Sequence, residues 1–217
     1  HAVVLDWRPH VDVSFTKCSA DARVTAGNSE YAYAGAEYDI YRASDDSLVA
    51  HITTDASGHA GYQLSPNEHY YAVETKAPQG FQVNTSRIEF STGNSEGSEQ
   101  LADDPGYVLL HIQKEDSATL GDAQPGATLE GAEYTIVSKS TPGWSATVTT
   151  NDRGYALATK VPFGDIEVRE TKAPKGYRLD PTVHPYTVHA GQITNAGTYD
   201  LEPEDDYAET VKAFDLE

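Results

Sequence analysis

Apolar residues recur at every second position in two stretches: Val11, Val13 and Phe15 run on to Lys17, and Val108, Leu110 and Ile112 run on to Lys114. Side chains two residues apart share one face of an extended strand, so each stretch predicts a strand whose inward face ends in a lysine. Shorter strand-like runs cover residues 37–41, 48–53, 69–74 and 87–90, with equivalents in the second half of the chain. Between them stand turn signals: Asp55-Ala56-Ser57-Gly58, Asn151-Asp152-Arg153-Gly154 and two copies of Pro-x-Gly. No segment carries helical periodicity long enough for a sizeable helix. Many short strands at this spacing predict an all-β chain built as β-sandwiches.

An internal repeat sets the number of sandwiches. Gly35-Ala36-Glu37-Tyr38 returns as Gly131-Ala132-Glu133-Tyr134, Thr54 to Gly58 returns as Thr150 to Gly154, and Glu74-Thr75-Lys76-Ala77-Pro78 returns as Glu170-Thr171-Lys172-Ala173-Pro174. The offsets agree: 131 − 35, 150 − 54 and 170 − 74 are each 96. A period this long duplicates a whole domain, since solenoid units are shorter. The Gly-, Ser- and acid-rich stretch 93–106 ends just before the Val108 strand, which places the boundary at 104–106. The domains are then expected at 1–104 and 105–207, with 208–217 a linker or the start of a further repeat.

Charge and cysteine content remove several function classes. The 217 residues hold 34 acidic against 15 basic side chains, a formal net charge of −19, and no run of Lys or Arg forms a basic stripe that would hold a nucleic acid. No stretch approaches the roughly 20 apolar residues that a helix needs to cross a bilayer, so no membrane insertion is expected of these residues. The single Cys18 forms no internal disulfide and rules out CxxC zinc sites; alternation puts it on the face opposite Lys17, as an inert thiol. The eight His are scattered without an HExxH or His/Cys cluster, and the acidic turns 55–58 and 202–206 lack the EF-hand ligand pattern, so no metal or cofactor is implied. Opening on His1, with an acidic stretch after Glu204, the chain is expected to be a piece of a longer array.

Each copy thus carries a first strand ending in Lys, a GAEY strand, a T-x-x-x-G turn, and a strand running into ETKAPQGF (74–81) or ETKAPKGY (170–177). This pattern resembles the Cna-B (SpaA-like, prealbumin-like) repeats of Gram-positive surface adhesins and pilins, and the resemblance covers nearly all of both copies. Phe81 stands where the family usually has Tyr. The resemblance implies two tandem Ig-like sandwiches. It also implies a self-made isopeptide bond in which a first-strand Lys joins a last-strand Asn or Asp, assisted by the Glu of the E-x-x-A-P motif. In this sequence those roles fall to Lys17, Glu74 and Asp103 in the first copy. In the second they fall to Lys114 and Glu170, with Asp205 as acceptor or Asp200 as the alternative. The other reading of the second copy is an uncrosslinked one, with Lys114 and Glu170 as a plain buried ion pair.

Physical chemistry gives the first-copy assignment a rationale of its own. A lysine that closes an inward apolar series would lose hydration, which favours its neutral, nucleophilic form. Leu101 and Asp103 share one face of a later strand, and a Glu74 between Lys17 and Asp103 could keep a proton and pass it to the acceptor carbonyl. Against this stand blander readings: a strand-end Lys snorkelling to water, a solvated Glu, and an Ala-Pro-x-Gly that merely turns the chain. The function expected is an exported, cell-wall-attached stalk or shaft module with neighbouring repeats as partners. The alternative is a module binding a glycan or host matrix protein through loops such as 141–144, with Trp144 offered for sugar stacking. A hydrolase using paired carboxylates finds no supporting motif.

Overall fold

The computed structural model describes residues 9–192 and 198–201. It divides into two compact units, one formed by the chain up to Ala20 and Tyr31–Pro105, the other by Asp21–Glu30 and the chain from Gly106 onward. The segment Asp21–Glu30 is therefore an integral part of the second unit, a placement that the 96-residue period does not reveal.

Unit 1 contains β1 (Val11–Ser19), β2 (Glu37–Arg42), β3 (Ser47–Thr53), β4 (His59–Leu64), β5 (His69–Lys76), β6 (Ile88–Ser91) and β7 (Gly97–Asp103). They form a sheet in the order β4-β1-β7 and a second in the order β3-β2-β5-β6. The apolar faces of both sheets meet in one core: Val11, Val13, Phe15, Leu64 and Leu101 from the first, and Tyr38, Ile40, Ile52, Tyr70, Ala72 and Phe90 from the second. Phe15 meets Phe90 edge-on across this interface, with ring centroids 5.5 Å apart. The alternation of buried and exposed residues along β1 is the period-two pattern expected from the sequence.

Unit 2 repeats the design. The short helix α1 (Ala22–Thr25) comes first in the chain, and the strands are β8 (Tyr107–Gln113), β9 (Glu133–Ser138), β10 (Ser145–Thr149), β11 (Tyr155–Val161), β12 (Gly164–Lys172), β13 (Val183–Val188) and β14 (Thr198–Leu201). Their sheets run β11-β8-β14 and β10-β9-β12-β13, the same order element for element as in unit 1. Pro185 lies on β13, an edge strand, where the missing N–H costs least.

In both units the first strand is central in its sheet, antiparallel to the fourth and parallel to the last. β1 pairs with β7 from Val13↔Gly97 to Ser19↔Asp103, and β8 pairs with β14 from Thr198↔Tyr107 to Leu201↔Leu110. This parallel pairing brings the two ends of each repeat side by side.

The T-x-x-x-G turn has a use beyond reversing the chain. Thr54 Oγ1 accepts from Ala36 N at 3.0 Å and donates to Tyr33 O at 2.7 Å; Thr150 Oγ1 accepts from Ala132 N at 3.0 Å and donates to Leu129 O at 2.6 Å. Gly58 and Gly154, at φ of 79° and 77°, then offer their carbonyls to the backbone N–H of Lys17 and Lys114, each at 2.8 Å. The turn thus grips the backbone of the lysine itself. A Cβ at residue 154 would collide with Lys114 O. Gly154→Ala should therefore destabilise unit 2 by about 1–3 kcal/mol from the left-handed backbone alone, with the clash adding to it. Urea unfolding followed by circular dichroism checks this.

Candidate functional site

In unit 1 the two carboxyl-bearing strands and the lysine strand converge inside the sandwich. Lys17 is the fourth inward residue of β1, Glu74 the last inward residue of β5, and Asp103 the last residue of β7. All three are buried, and the Lys17 Nζ lies 2.6 Å from Asp103 Oδ2 with both side chains fully shielded from solvent. Lys17 Nζ also donates to Cys18 O at 3.3 Å, and it lies 4.5 Å from the centroid of the Phe81 ring. Glu74 Oε2 accepts from the backbone N–H of Asn84 at 2.7 Å. The backbone carbonyl of Asp103 accepts from Ala20 N at 2.8 Å, which ties the end of β7 to the end of β1.

Two carboxyl groups share this dry interior with one ammonium, so charge balance favours keeping one proton on the carboxyl pair. Burial first, and then hydrogen bonding to the neighbouring Asp103 carboxyl, push Glu74 up to about 8. The Tyr38 phenol is pushed up as well, first by burial and then by the negative charge of Asp103 and Glu74. A protonated Glu74 beside an amine in contact with a carboxyl is the arrangement that acid-assisted amide formation needs.

Unit 2 builds the same niche with a different charge count. Lys114 follows directly on β8, and its Nζ lies 2.9 Å from Glu170 Oε1, both side chains being 1% exposed. Glu170 Oε2 accepts from the backbone N–H of Asp180 at 2.9 Å, the counterpart of the Asn84 contact 96 residues earlier. Lys114 and Glu170 form an ion pair here, and the Asp180 carboxylate also feels the Lys114 charge. Asp200 stands opposite Leu109 in the β14–β8 register, five residues before Lys114. Asp205 lies outside the described residues.

The Pro-x-Gly turns place the ring that covers each lysine. Phe81 N donates to Pro78 O and Tyr177 N to Pro174 O, each at 3.2 Å, and Gly80 and Gly176 take the positive φ that the third residue of such a turn requires. Tyr177 covers Lys114 at 5.7 Å from the ring centroid and donates its hydroxyl to Asp116 Oδ2 at 2.8 Å. Asp116 also accepts from the N–H groups of Ala118 and Thr119 and from Gln124 Nε2. Burial on its own would raise the Asp116 carboxyl; the bonds from Tyr177, Ala118, Gln124 and Thr119 outweigh it and hold the group at about 2. In unit 1 the residue two after the lysine is Ser19, which has no carboxylate to receive a phenol, and the covering ring there is Phe81, packed on Tyr31 and Tyr33. The departure from Tyr is thus matched to its neighbour. Asp116 is a residue that sequence reading missed; its only signal was lying two positions beyond a buried lysine, on the same face.

Comparison with known proteins agrees with this architecture. A family model described as SpaA, prealbumin-like fold domain, matches residues 25–104 and 111–203. The trypsin-resistant surface T6 protein of Streptococcus pyogenes serotype M6 is 31% identical over 142 residues, which span 58% of this chain and 26% of that protein. Among solved structures, the Bacillus anthracis TIE protein aligns over 89% of this chain and 34% of its own at 20% identity, with a TM-score of 0.55, a likeness of fold. A C-terminal fragment of the pilus adhesin SpaC from Lactobacillus rhamnosus GG aligns over 90% of each chain at 19% identity and a TM-score of 0.46. The chain thus spans about a quarter of its curated relative and a third of the B. anthracis structure.

The raised Glu74 carboxyl has a signed consequence for stability. In the unfolded chain this group ionises near 4.5, and in the folded chain near 8. Its contribution is therefore complete below pH 4.5 and is lost progressively as pH rises to about 8. Glu74→Gln, which mimics the protonated form, should remove that part of the decline in unit 1. Urea midpoints of Lys17→Ala and of Lys17→Ala with Glu74→Gln across this pH range make the comparison, since neither protein can form an amide at residue 17; parallel curves would refute the assignment.

Proposed function

Since the chain belongs to the family of SpaA prealbumin-like fold domains, we propose that it is a load-bearing shaft segment of an extracellular, cell-wall-attached surface protein, and that unit 1 staples itself through an amide between Lys17 and Asp103. One observation carries the staple: an amine 2.6 Å from a carboxyl oxygen, both sealed from water, beside a third group whose affinity for a proton is raised. Contact of this kind supplies the proximity that makes an otherwise slow condensation effectively unimolecular.

The chemistry balances without a cofactor. The Lys17 ammonium first passes one proton to the Asp103 carboxylate 2.6 Å away; the freed Nζ lone pair then forms a bond to Asp103 Cγ while Glu74 gives its proton to the carboxyl OH. The C–O bond then breaks, the oxygen leaves as water, and the amine gives up the proton that restores Glu74. Nothing turns over after this single event, so the chain is a self-modifying structural protein and not an enzyme.

Topology supports the mechanical role. Because β1 and β7 run parallel, pulling on the chain before β1 and after β7 loads their hydrogen bonds in shear. An amide from Lys17 to Asp103 would divert that load from β1 straight to the end of β7, leaving residues 18–102 unstrained. It would also close a loop of 103 − 17 = 86 residues, which by chain-entropy reasoning removes about 4–5 kcal/mol of unfolded-state freedom. Neighbouring repeats of the same chain are the partners that such a shaft needs. For unit 2 we propose Asp205 as the acceptor if Lys114 is crosslinked; otherwise Lys114 and Glu170 remain an ion pair.

Intact mass at high accuracy tests the staple. The protein should be lighter than its sequence by one water for the unit 1 amide, and Lys17→Ala or Glu74→Ala should restore the full mass. A second missing water that vanishes in Lys114→Ala and in Asp205→Ala would assign a second amide. A parent protein at its full sequence mass would sink the reading.

A further inference from the structure

Three surface clefts differ in charge. One of about 680 Å³ in unit 1 is lined by Asp12, Glu96, Tyr62 and His10. Another, of about 540 Å³ in unit 2, carries Glu115, Asp122 and Asp152 against Arg153. The third, of about 440 Å³, also in unit 2, carries Arg23 and Lys160 against Asp21 beside Trp144 and Pro142. In a chain of net charge −19, a cleft with two cations against one anion and an indole on its wall is out of keeping with its surroundings.

Each of those side chains is held by a specific device. Thr141-Pro142-Gly143-Trp144 forms a tight turn, with Trp144 N donating to Thr141 O at 3.2 Å and Gly143 at a φ of 81°. Its root is buried: Thr141 Oγ1 donates to Val24 O at 2.8 Å and accepts from Asn28 Nδ2 at 2.9 Å, and Asn28 Nδ2 also reaches Phe163 O at 2.8 Å. Trp144 is thereby presented on a rigid base while remaining partly exposed. Lys160 is exposed and takes a φ of 56°, rare for a residue with a side chain, at the irregularity that shifts the β11–β8 register between Ala158 and Val161. Bulges of this kind re-aim a side chain at a cost in strain. Asp21 accepts from Arg23 Nε and Nη2, each at 3.2 Å, which orients the guanidinium while its side chain stays 85% exposed. Asp21 also feels the positive charge of Lys160.

We propose that this cleft binds one acidic monosaccharide of a glycan, with Trp144 against the apolar face of the pyranose ring and Arg23 and Lys160 on its carboxylate. An indole offers a flat apolar surface to the C–H groups of a sugar, and a guanidinium fork with an ammonium matches a planar carboxylate. Asp21 is then placed to accept from a ring hydroxyl. A sulfate ester presents the same charge with tetrahedral geometry. This inference goes beyond the shaft reading and does not depend on the Lys17 amide.

The test uses the whole chain with Trp7→Phe, so that Trp144 is the only indole, and follows its fluorescence during titration with three probes: a hyaluronan hexasaccharide, a chondroitin sulfate hexasaccharide and a neutral chitin hexamer. The hyaluronan hexamer should shift the emission and bind about fivefold or more tightly than the neutral hexamer, the factor that two exposed charge pairs supply, and the difference should shrink as salt is raised. Tighter binding of the chondroitin sulfate hexamer than of hyaluronan would replace carboxylate by sulfate and overturn the assignment as stated. Arg23→Gln with Lys160→Asn should bring the acidic probe down to the neutral one; Asn tolerates the left-handed backbone at residue 160, so the fold is kept. Trp144→Ala, followed by calorimetry, should weaken both uronate-bearing and neutral probes, with Trp144→Phe intermediate and circular dichroism reporting on folding. Equal affinity for acidic and neutral hexamers, absence of any response to the hyaluronan probe, or unchanged binding in Trp144→Ala would overturn the proposal.

Discussion

A lysine amine enclosed between two β-sheets is the constraint around which each unit is built. Placing a primary amine in a dry interior is costly unless it meets an anion, and losing one partner of such a pair is worse still. The repeat therefore carries several devices that serve this one group. A threonine turn holds the lysine backbone through a glycine carbonyl, a glutamate descends from the opposite sheet, and a Pro-x-Gly turn lays an aromatic ring across the amine. What look like three unrelated sequence motifs are contacts of a single residue.

The two units resolve that constraint differently. Unit 1 sets two carboxyls against one amine, an arrangement that is unstable as a fully ionised set and favours a retained proton. Unit 2 pairs the Lys114 ammonium with Glu170 and directs its other buried acid, Asp116, toward four donors that keep it ionised. The two copies share the niche and differ in its electrostatics, with Tyr177 and Asp116 in one and Phe81 and Ser19 in the other.

The strands with alternating faces and the turns were legible in the sequence because period-two alternation fixes which residues face inward, and a shared offset of 96 shows which motifs belong together; the grouping of Lys17, Glu74 and Asp103 came from the resemblance to Cna-B repeats. β4 escaped because it is an edge strand whose one inward side chain is Leu64, so it shows no alternation. The segment Asp21–Glu30 escaped for another reason: Val24 and Asn28 are bonded to residues more than a hundred positions away, a relation no local pattern carries. The charge of the Trp144 cleft was equally hidden, since Arg23 and Lys160 are assembled from segments 137 residues apart, 160 − 23. Sequence reading also left the acceptor in unit 2 open between Asp205 and Asp200; the β14 register sets Asp200 opposite Leu109, and Asp205 lies outside the described residues.

The central position of the first strand governs how each unit acquires its structure. β1 emerges early from the ribosome, yet both of its neighbours, β4 and β7, are made later, and β7 comes last. The edge of β1 that pairs with β7 stays open until residue 103 has been added, so the order of synthesis delays closure of the sandwich. Chains dominated by such distant pairings fold slowly, which keeps each unit threadable until its final strand is available.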